Sequence, residues 1–309
     1  MYPRIKVTSM SFSKNEHLVK ELKGKFPYST FNTLKYNFTK EELTDFIKEA
    51  DGAIIGLEKI DKEIITNCPN LEIIAKYGVG LDNIDINACR KHNITVAHTQ
   101  GTNKLSVAEK TLCFMLALTN NVFQSSYNLK NNNWEKKGGF QLSEKTVGVI
   151  GVGNIGKEVI RLLKPFNCNI LVNDIIDQSD YYKKNNLEES TKEEIFRNAN
   201  IITIHTPLTK ETRYMINNET ISLMKKSAFI INTARGSILN QNDLKNALKN
   251  SIIAGAAIDV YEEEPPQDKE FIALPNLITT PHIGGNSYEA IIATGMSAIE
   301  HLTTFFNKK

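Results

Sequence analysis

Short apolar runs rich in β-branched residues recur along the chain. Between them lie segments whose apolar positions repeat every three to four residues. In the first hundred residues the runs fall at 5–7, 28–31, 53–57, 71–75 and 94–97. Thr39-Lys40-Glu41-Glu42 reads as a capping box, and Leu43, Phe46 and Ile47 then share one helical face. After residue 145 the runs return at 147–150, 169–173, 200–205, 229–232 and 252–259, and a last short strand ends at Thr280. Thr191-Lys192-Glu193-Glu194 and Asn240 open helices between them, and a terminal helix runs from Tyr288 to about Phe306. Strands alternating with helices predict parallel sheets covered on both faces, so the fold class is α/β. The first hundred residues suit one small doubly wound domain, and the later part, with at least six strands, suits a second. Residues 106–118 form a helical run too apolar for a surface helix, which predicts burial between domains or subunits. Asn131-Asn132-Asn133-Trp134 is a polar break whose Trp is expected to anchor packing.

Chemistry enters at residues 147–174. An apolar run ends in Gly151-Val152-Gly153-Asn154-Ile155-Gly156, a helical segment follows, and a second run closes on Asp174. In such a unit Gly151 permits the tight turn, Gly153 lets backbone N–H groups approach a pyrophosphate, and Gly156 lets the helix lie close to the strand. The helix start favours the anion. Asp174 can accept both ribose hydroxyls and would repel a 2′-phosphate, which points to NAD rather than NADP. Glycine turns alone also serve structural ends. Here the strand, the helix and the terminal acid all accompany the motif.

Composition narrows the partners. The 309 residues suffice for two cores, and 37 basic against 35 acidic residues give a net charge of +2. That balance offers no electrostatic case for nucleic acid or a membrane surface. No apolar run reaches the roughly 18 residues of a membrane span, and no signal-peptide core opens the chain. Cys68, Cys89, Cys113 and Cys168 lack metal or CxxC spacing, so buried apolar roles in a reducing cytoplasm are expected, with no metal site.

Ligands of open parallel sheets bind beyond the carboxyl ends of strands. Residues 76–80, Thr206, Arg235, Asp259 and His282 stand there, with Glu264 a few positions beyond Asp259. Arg235 could clamp a carboxylate or tie two loops together. His282, between a proline and Gly284-Gly285, suits an acid–base group, and Glu264 suits the carboxylate that fixes its tautomer. Glu262-Glu263-Glu264 could also be only a solvated charge run, and Pro265 alone singles out the third.

These stretches together resemble the D-isomer-specific 2-hydroxyacid dehydrogenase family. The resemblance rests on Gly151 to Gly156 with Asp174, Asn232-Thr233-Ala234-Arg235-Gly236, Asp259 with Glu264-Pro265, and Pro281-His282-Ile283-Gly284-Gly285. Lys76-Tyr77-Gly78-Val79-Gly80-Leu81-Asp82 further resembles its phosphoglycerate dehydrogenase branch, in a short form without a regulatory domain. The resemblance implies a Rossmann NAD-binding domain at 103–284 inserted into a discontinuous, flavodoxin-like substrate domain at 1–102 and 285–309, with the active site in the cleft. It implies Arg235, Glu264 and His282 as the catalytic set. It further implies a cofactor site formed by Gly151, Gly153, Asn154, Ile155, Gly156, Asp174, His205, Thr206, Pro207, Thr233, Ala234, Arg235, Asp259, His282 and Gly284. Lys76, Gly78, Val79 and Gly80, with Arg235 and His282, would meet substrate, and the chain would form a homodimer.

In oxidation His282 would take the hydroxyl proton while hydride passes from C2 to the nicotinamide. Lys76 could meet a distal phosphate and Lys104 could add a second charge, or both could simply face solvent. D-3-phosphoglycerate with 3-phosphohydroxypyruvate is the first substrate expectation, and glyoxylate or hydroxypyruvate the second. A reading from another class is a non-catalytic NAD-sensing corepressor-like protein.

Overall fold

The computed structural model describes residues 2–34 and 38–308. The chain divides into two compact units, Met1–Asn103 with Asn286–Lys309, and Lys104–Gly285. The sequence placed the junctions one residue earlier in each case.

In the first unit the strands are β1 (Ile5–Val7), β2 (Thr30–Phe31), β3 (Gly52–Ile55), β4 (Ile73–Lys76) and β5 (Thr95–Ala97). They pair in parallel in the order β2-β1-β3-β4-β5. Helices α1 (Met10–Ser13), α2 (Glu16–Lys25), α3 (Lys40–Ile47), α4 (Lys62–Thr66) and α5 (Ile86–Lys91) connect them. Thr39 caps α3 in the expected box, with the Glu42 side chain returning to the Thr39 N–H. Two apolar layers form, one of α3–α5 residues around Ile55 and Ile74. The other sets Phe12, Leu18 and Leu22 against Ala298, Ile299 and Leu302 of the terminal helix, α14 (Tyr288–Asn307). The terminal helix thus completes the unit that the first hundred residues begin.

The second unit opens with α6 (Lys104–Thr119) and α7 (Val122–Lys130). Its strands are β6 (Thr146–Ile150), β7 (Asn169–Asn173), β8 (Glu188–Glu189), β9 (Ile201–Ile204), β10 (Phe229–Asn232), β11 (Gly255–Ile258) and β12 (Leu277–Thr279). They form one parallel sheet, ordered β12-β11-β10-β9-β6-β7-β8. Its connections carry α8 (Asn154–Leu163), α9 (Ser179–Asn185), α10 (Lys192–Asn198), α11 (Asn218–Ser222), α12 (Gln241–Lys249) and α13 (Lys269–Ile272). Most strand residues here are buried on both faces, as continuous apolar runs in a parallel sheet must be. Helix α10 lies so near the sheet that a Cβ on Gly148 would come 2.3 Å from Ile195. The chain leaves β6 toward β7 and β8, then returns to β9 on the other side. The crevice that opens between two such halves is where doubly wound sheets bind ligands.

Three local readings depart from the sequence. Trp134 anchors nothing within this chain, being 75% exposed. Its segment is not merely a break but follows a helix, α7, whose Val122, Phe123, Tyr127 and Leu129 are also exposed. Cys113 faces solvent rather than a core, whereas Cys68 and Cys89 are buried, which pushes both thiols up to about 11.

Candidate active site

The glycine turn is set by three different constraints. Gly151 has φ +94°, and a Cβ there would lie 2.7 Å from the His205 carbonyl carbon, so neither the conformation nor the space admits a side chain. A Cβ on Gly156 would stand 2.1 Å from the Gly151 oxygen, so α8 packs directly on the turn it follows. At Gly153 nothing in the protein lies within 4 Å of such a Cβ. Its small size therefore meets no need of the fold and leaves open space before the first turn of α8, where no side chain caps the helix. An anion is the natural occupant.

Asp174 follows β7 with its carboxylate turned toward this turn. Oδ2 accepts the Val152 N–H at 2.6 Å and the Gln178 amide at 3.3 Å, and Oδ1 accepts the Ile176 N–H at 3.0 Å. Beyond β9, Thr206 Oγ1 and His205 Nδ1 are buried polar atoms with no hydrogen-bond partner, while His205 Nε2 meets Thr203 Oγ1 at 2.9 Å. Burial lowers the His205 pKa to about 3, which keeps the ring neutral although the residue as a whole retains some exposure. An open glycine, an uncapped helix start, a carboxylate after β7 and an unpartnered buried hydroxyl together fit a dinucleotide. Gly151 to Gly156 would hold its pyrophosphate and Asp174 its adenosine ribose. Asn154 and Ile155 form the first turn of α8, and the exposed Pro207 follows Thr206.

The reactive groups follow β10, β11 and β12. Asn232 shapes the first loop: its Oδ1 accepts the Ala234 N–H and its Nδ2 donates to the Arg235 carbonyl. Arg235 Nη1 donates to the Ala234 carbonyl at 2.7 Å, and Thr233 Oγ1 sits 3.1 Å from Thr111 Oγ1 of α6. Gly236 lies against the backbone of Tyr261, where a Cβ would be 1.9 Å away, so the loops after β10 and β11 are held in contact.

Asp259, 1% exposed, does something composition does not reveal. Its Oδ1 accepts the Thr280 hydroxyl and the Ile283 N–H, and its Oδ2 accepts the Gly284 N–H at 2.6 Å. The carboxylate thereby ties down the turn in which His282 adopts φ +53°, and Ser106 of α6 donates to the Gly284 carbonyl from the other side. His282 Nδ1 lies 2.7 Å from Glu264 Oε2. Burial alone would raise the Glu264 pKa. The hydrogen bond and charge of His282, the Tyr261 N–H and the Arg235 guanidinium outweigh it and hold the carboxyl below its ordinary 4.5.

Glu262 is exposed, as a solvated charge run would be, yet it is not idle. It accepts the Tyr214 hydroxyl and the Gln241 N–H, each at 2.9 Å, and so braces the loop that carries Glu264. No spacing signal marks it. Lys104 pairs with Glu158 of α8 at 3.5 Å.

In the first unit Lys76 is 4% exposed, and its ammonium meets the Gly56 carbonyl and Asn83 Oδ1. The neighbouring Gly78, Val79 and Gly80 are half-buried, and among the described residues no hydrogen bond takes up their N–H groups. Among the described residues no cluster of His, Cys, Asp or Glu could hold a metal ion.

A parallel sheet with a dinucleotide turn at its switch point and a His–carboxylate pair beyond its last strands defines a nicotinamide-dependent oxidoreductase fold. The sequence pattern described as "D-isomer specific 2-hydroxyacid dehydrogenase, NAD binding domain" matches residues 112–284, and the chain belongs to that family. It is 40% identical over 273 residues to D-3-phosphoglycerate dehydrogenase of Methanocaldococcus jannaschii, covering 85% of this chain and 51% of that one. It is 35% identical over 276 residues to glyoxylate reductase of Pyrococcus furiosus, covering 86% and 82%. The chain thus spans about half the length of the first relative and most of the second. The structure of D-lactate dehydrogenase of Aquifex aeolicus with NAD and lactic acid superposes with a TM-score of 0.85 at 25% identity, covering 98% of this chain and 95% of that one.

Proposed function

We propose that the protein interconverts a D-2-hydroxy acid and its 2-oxo acid with NAD, and that the acid is D-3-phosphoglycerate. The observation that carries the chemistry is the His282–Glu264 pair on a turn anchored by Asp259. NAD, when bound, supplies the acceptor for the C2 hydrogen with its electron pair. Because Glu264 occupies Nδ1, His282 presents Nε2 to the substrate and takes the hydroxyl proton there; in reduction it returns that proton to the C2 oxygen. Glu264, held ionised, fixes the ring and balances its positive charge while the proton resides on it. The guanidinium of Arg235 binds the carboxylate and draws charge from the C2 oxygen as the carbonyl forms. Gly78, Val79 and Gly80 offer the carboxylate their unpaired N–H groups.

The phosphorylated acid is supported by the similarity to D-3-phosphoglycerate dehydrogenase. This reading places the reaction at the entry to serine synthesis. A second reading, reduction of glyoxylate or hydroxypyruvate, is favoured by the engaged ammonium of Lys76 and by the glyoxylate reductase relative. Purified protein assayed for NADH oxidation with 3-phosphohydroxypyruvate, hydroxypyruvate and glyoxylate decides between them. A higher kcat/KM for the phosphorylated acid supports the first, and a higher value for the smaller acids transfers the assignment. Tight NADH binding without turnover on any of them would leave a different 2-oxo acid or an NAD-sensing protein instead.

Within this proposal the protein works in the cytoplasm as a homodimer. The support for a second copy is the apolar side chains of α7 with Trp134 and Phe140, which stand exposed on this chain.

A further inference from the structure

The segment that carries Gly78, Val79 and Gly80 hangs between two tie points. At one end the Tyr77 N–H donates to the Ile55 carbonyl at 2.9 Å. At the other, the Ile60 N–H donates to the Asn83 carbonyl at 2.7 Å, and the Asn83 amide donates to the carbonyls of Gly56 and Glu58. Glu58 in turn accepts the Gly56 N–H and the Thr8 hydroxyl, both at 2.8 Å, which fixes the receiving turn to β1. Lys76 closes this frame. Its ammonium reaches the Gly56 carbonyl and, at 2.6 Å, Asn83 Oδ1, so one cation joins the start of the loop to its end and to the turn after β3. Its stem also forms the floor of the loop. Gly78 has φ +149°, and a Cβ there would lie 3.1 Å from Lys76 Cε.

A lysine at the end of a strand would ordinarily be read as an anion contact or a solvated charge. Here the charge is spent inside the unit, on acceptors that no other cation is shown to meet. We propose that Lys76 is a positioning residue for the substrate-carboxylate loop: through Gly56, Asn83 and the floor beneath Gly78 it holds the N–H groups of residues 78–80 in place, and it does not touch the substrate's distal group. This rests on the reading that those N–H groups bind the carboxylate. The consequence concerns specificity. The carboxylate is common to all 2-oxo acids, so Lys76 sets how well any of them binds and not which is preferred.

The test compares wild type with Lys76→Met, which keeps the stem and removes the charge, and with Asn83→Leu, which breaks the same frame with the lysine itself retained. Each is assayed at saturating NADH with a phosphorylated and an unphosphorylated three-carbon 2-oxo acid. NADH affinity is measured by fluorescence, and amide exchange is followed at residues 78–81. Loss of these contacts should raise KM about tenfold for both acids alike, with a smaller change in kcat. The preference between them should stay within about twofold, NADH affinity should be unchanged, and exchange at the loop should quicken in both variants. A loss confined to the phosphorylated acid would make Lys76 a phosphate contact and overturn the proposal. So would an unchanged KM with unchanged exchange. If wild type turns over neither acid, it is the hydroxyacid reading that fails, and the exchange rates alone then decide whether Lys76 holds the loop.

Discussion

At the scale of single residues, the site depends on carboxylates that hold other groups still. Asp259 spends both oxygens on the turn around His282, and Glu264 spends one on the ring. The two therefore differ from a solvated acid in what their removal leaves behind: unpaired N–H groups in one case, an unrestrained imidazole in the other. His282→Asn removes the proton acceptor and is expected to lower kcat by about 10²–10⁴ while leaving NADH affinity nearly unchanged. Glu264→Gln keeps the shape and should cost less, about 10–100-fold, because the ring remains but its partner no longer balances its charge. The same variant has a signature in acid. Since the folded pKa of Glu264 lies below its ordinary 4.5, its contribution to stability is complete above that value and disappears as pH falls through the lowered one. Denaturant midpoints of wild type and Glu264→Gln should therefore converge in acid. A gap that widened instead would contradict the assigned ionisation.

At the scale of elements, the turn before α8 separates what glycine does for the fold from what it does for the ligand. Gly156 is needed by packing and Gly153 only by an incoming group. Gly156→Ala drives a methyl into the Gly151 carbonyl, and should destabilise the second unit by about 1–3 kcal/mol. Gly153→Ala meets open space at an ordinary negative φ, so its melting temperature should match wild type while its NADH Kd rises severalfold. Equal melting losses in both variants would mean that Gly153 is structural after all. The elements themselves were legible where side chains had one environment to satisfy. Runs such as 201–204 and 230–232 are buried on both sides and read as strands, and the box at Thr39 and the helix start at Thr191 appear as read. Helix α7 was not legible, because its apolar residues have no core in this chain to give them a period. Nor was β8, which consists of two glutamates held by backbone pairing to β7 alone. The site was legible as a set of residue types at strand ends. What the sequence could not convey was which charges are engaged: Lys76 and Asp259 are buried and Glu262 is exposed, all three are ordinary polar letters, and only the loops around them turn each into a brace.

At the scale of the whole molecule, the two units close their apolar cores separately, since every residue of each cluster belongs to one unit. Each unit then carries its own dependence on pH, and the second has an unusual one in His205. With a folded pKa of about 3 against 6.5 for an exposed imidazole, the unfolded second unit binds a proton that the folded one refuses throughout that interval. Stability must therefore fall as pH drops from 6.5 toward 3, by at most about 1.4 kcal/mol per pH unit from this group. Carboxylates titrate in the same range, so the wild-type slope alone proves nothing. His205→Gln offers the separation: a glutamine amide can still meet Thr203 but does not titrate, and one proton's worth of slope should vanish. Amide exchange resolved by segment would show the change in the sheet from β6 to β12, with the protection of β1, β3 and β4 following the same pH course in both proteins. An unaltered slope in the second unit would mean that His205 takes up its proton in the folded protein as readily as in the unfolded one, and the burial-lowered pKa would have to be abandoned.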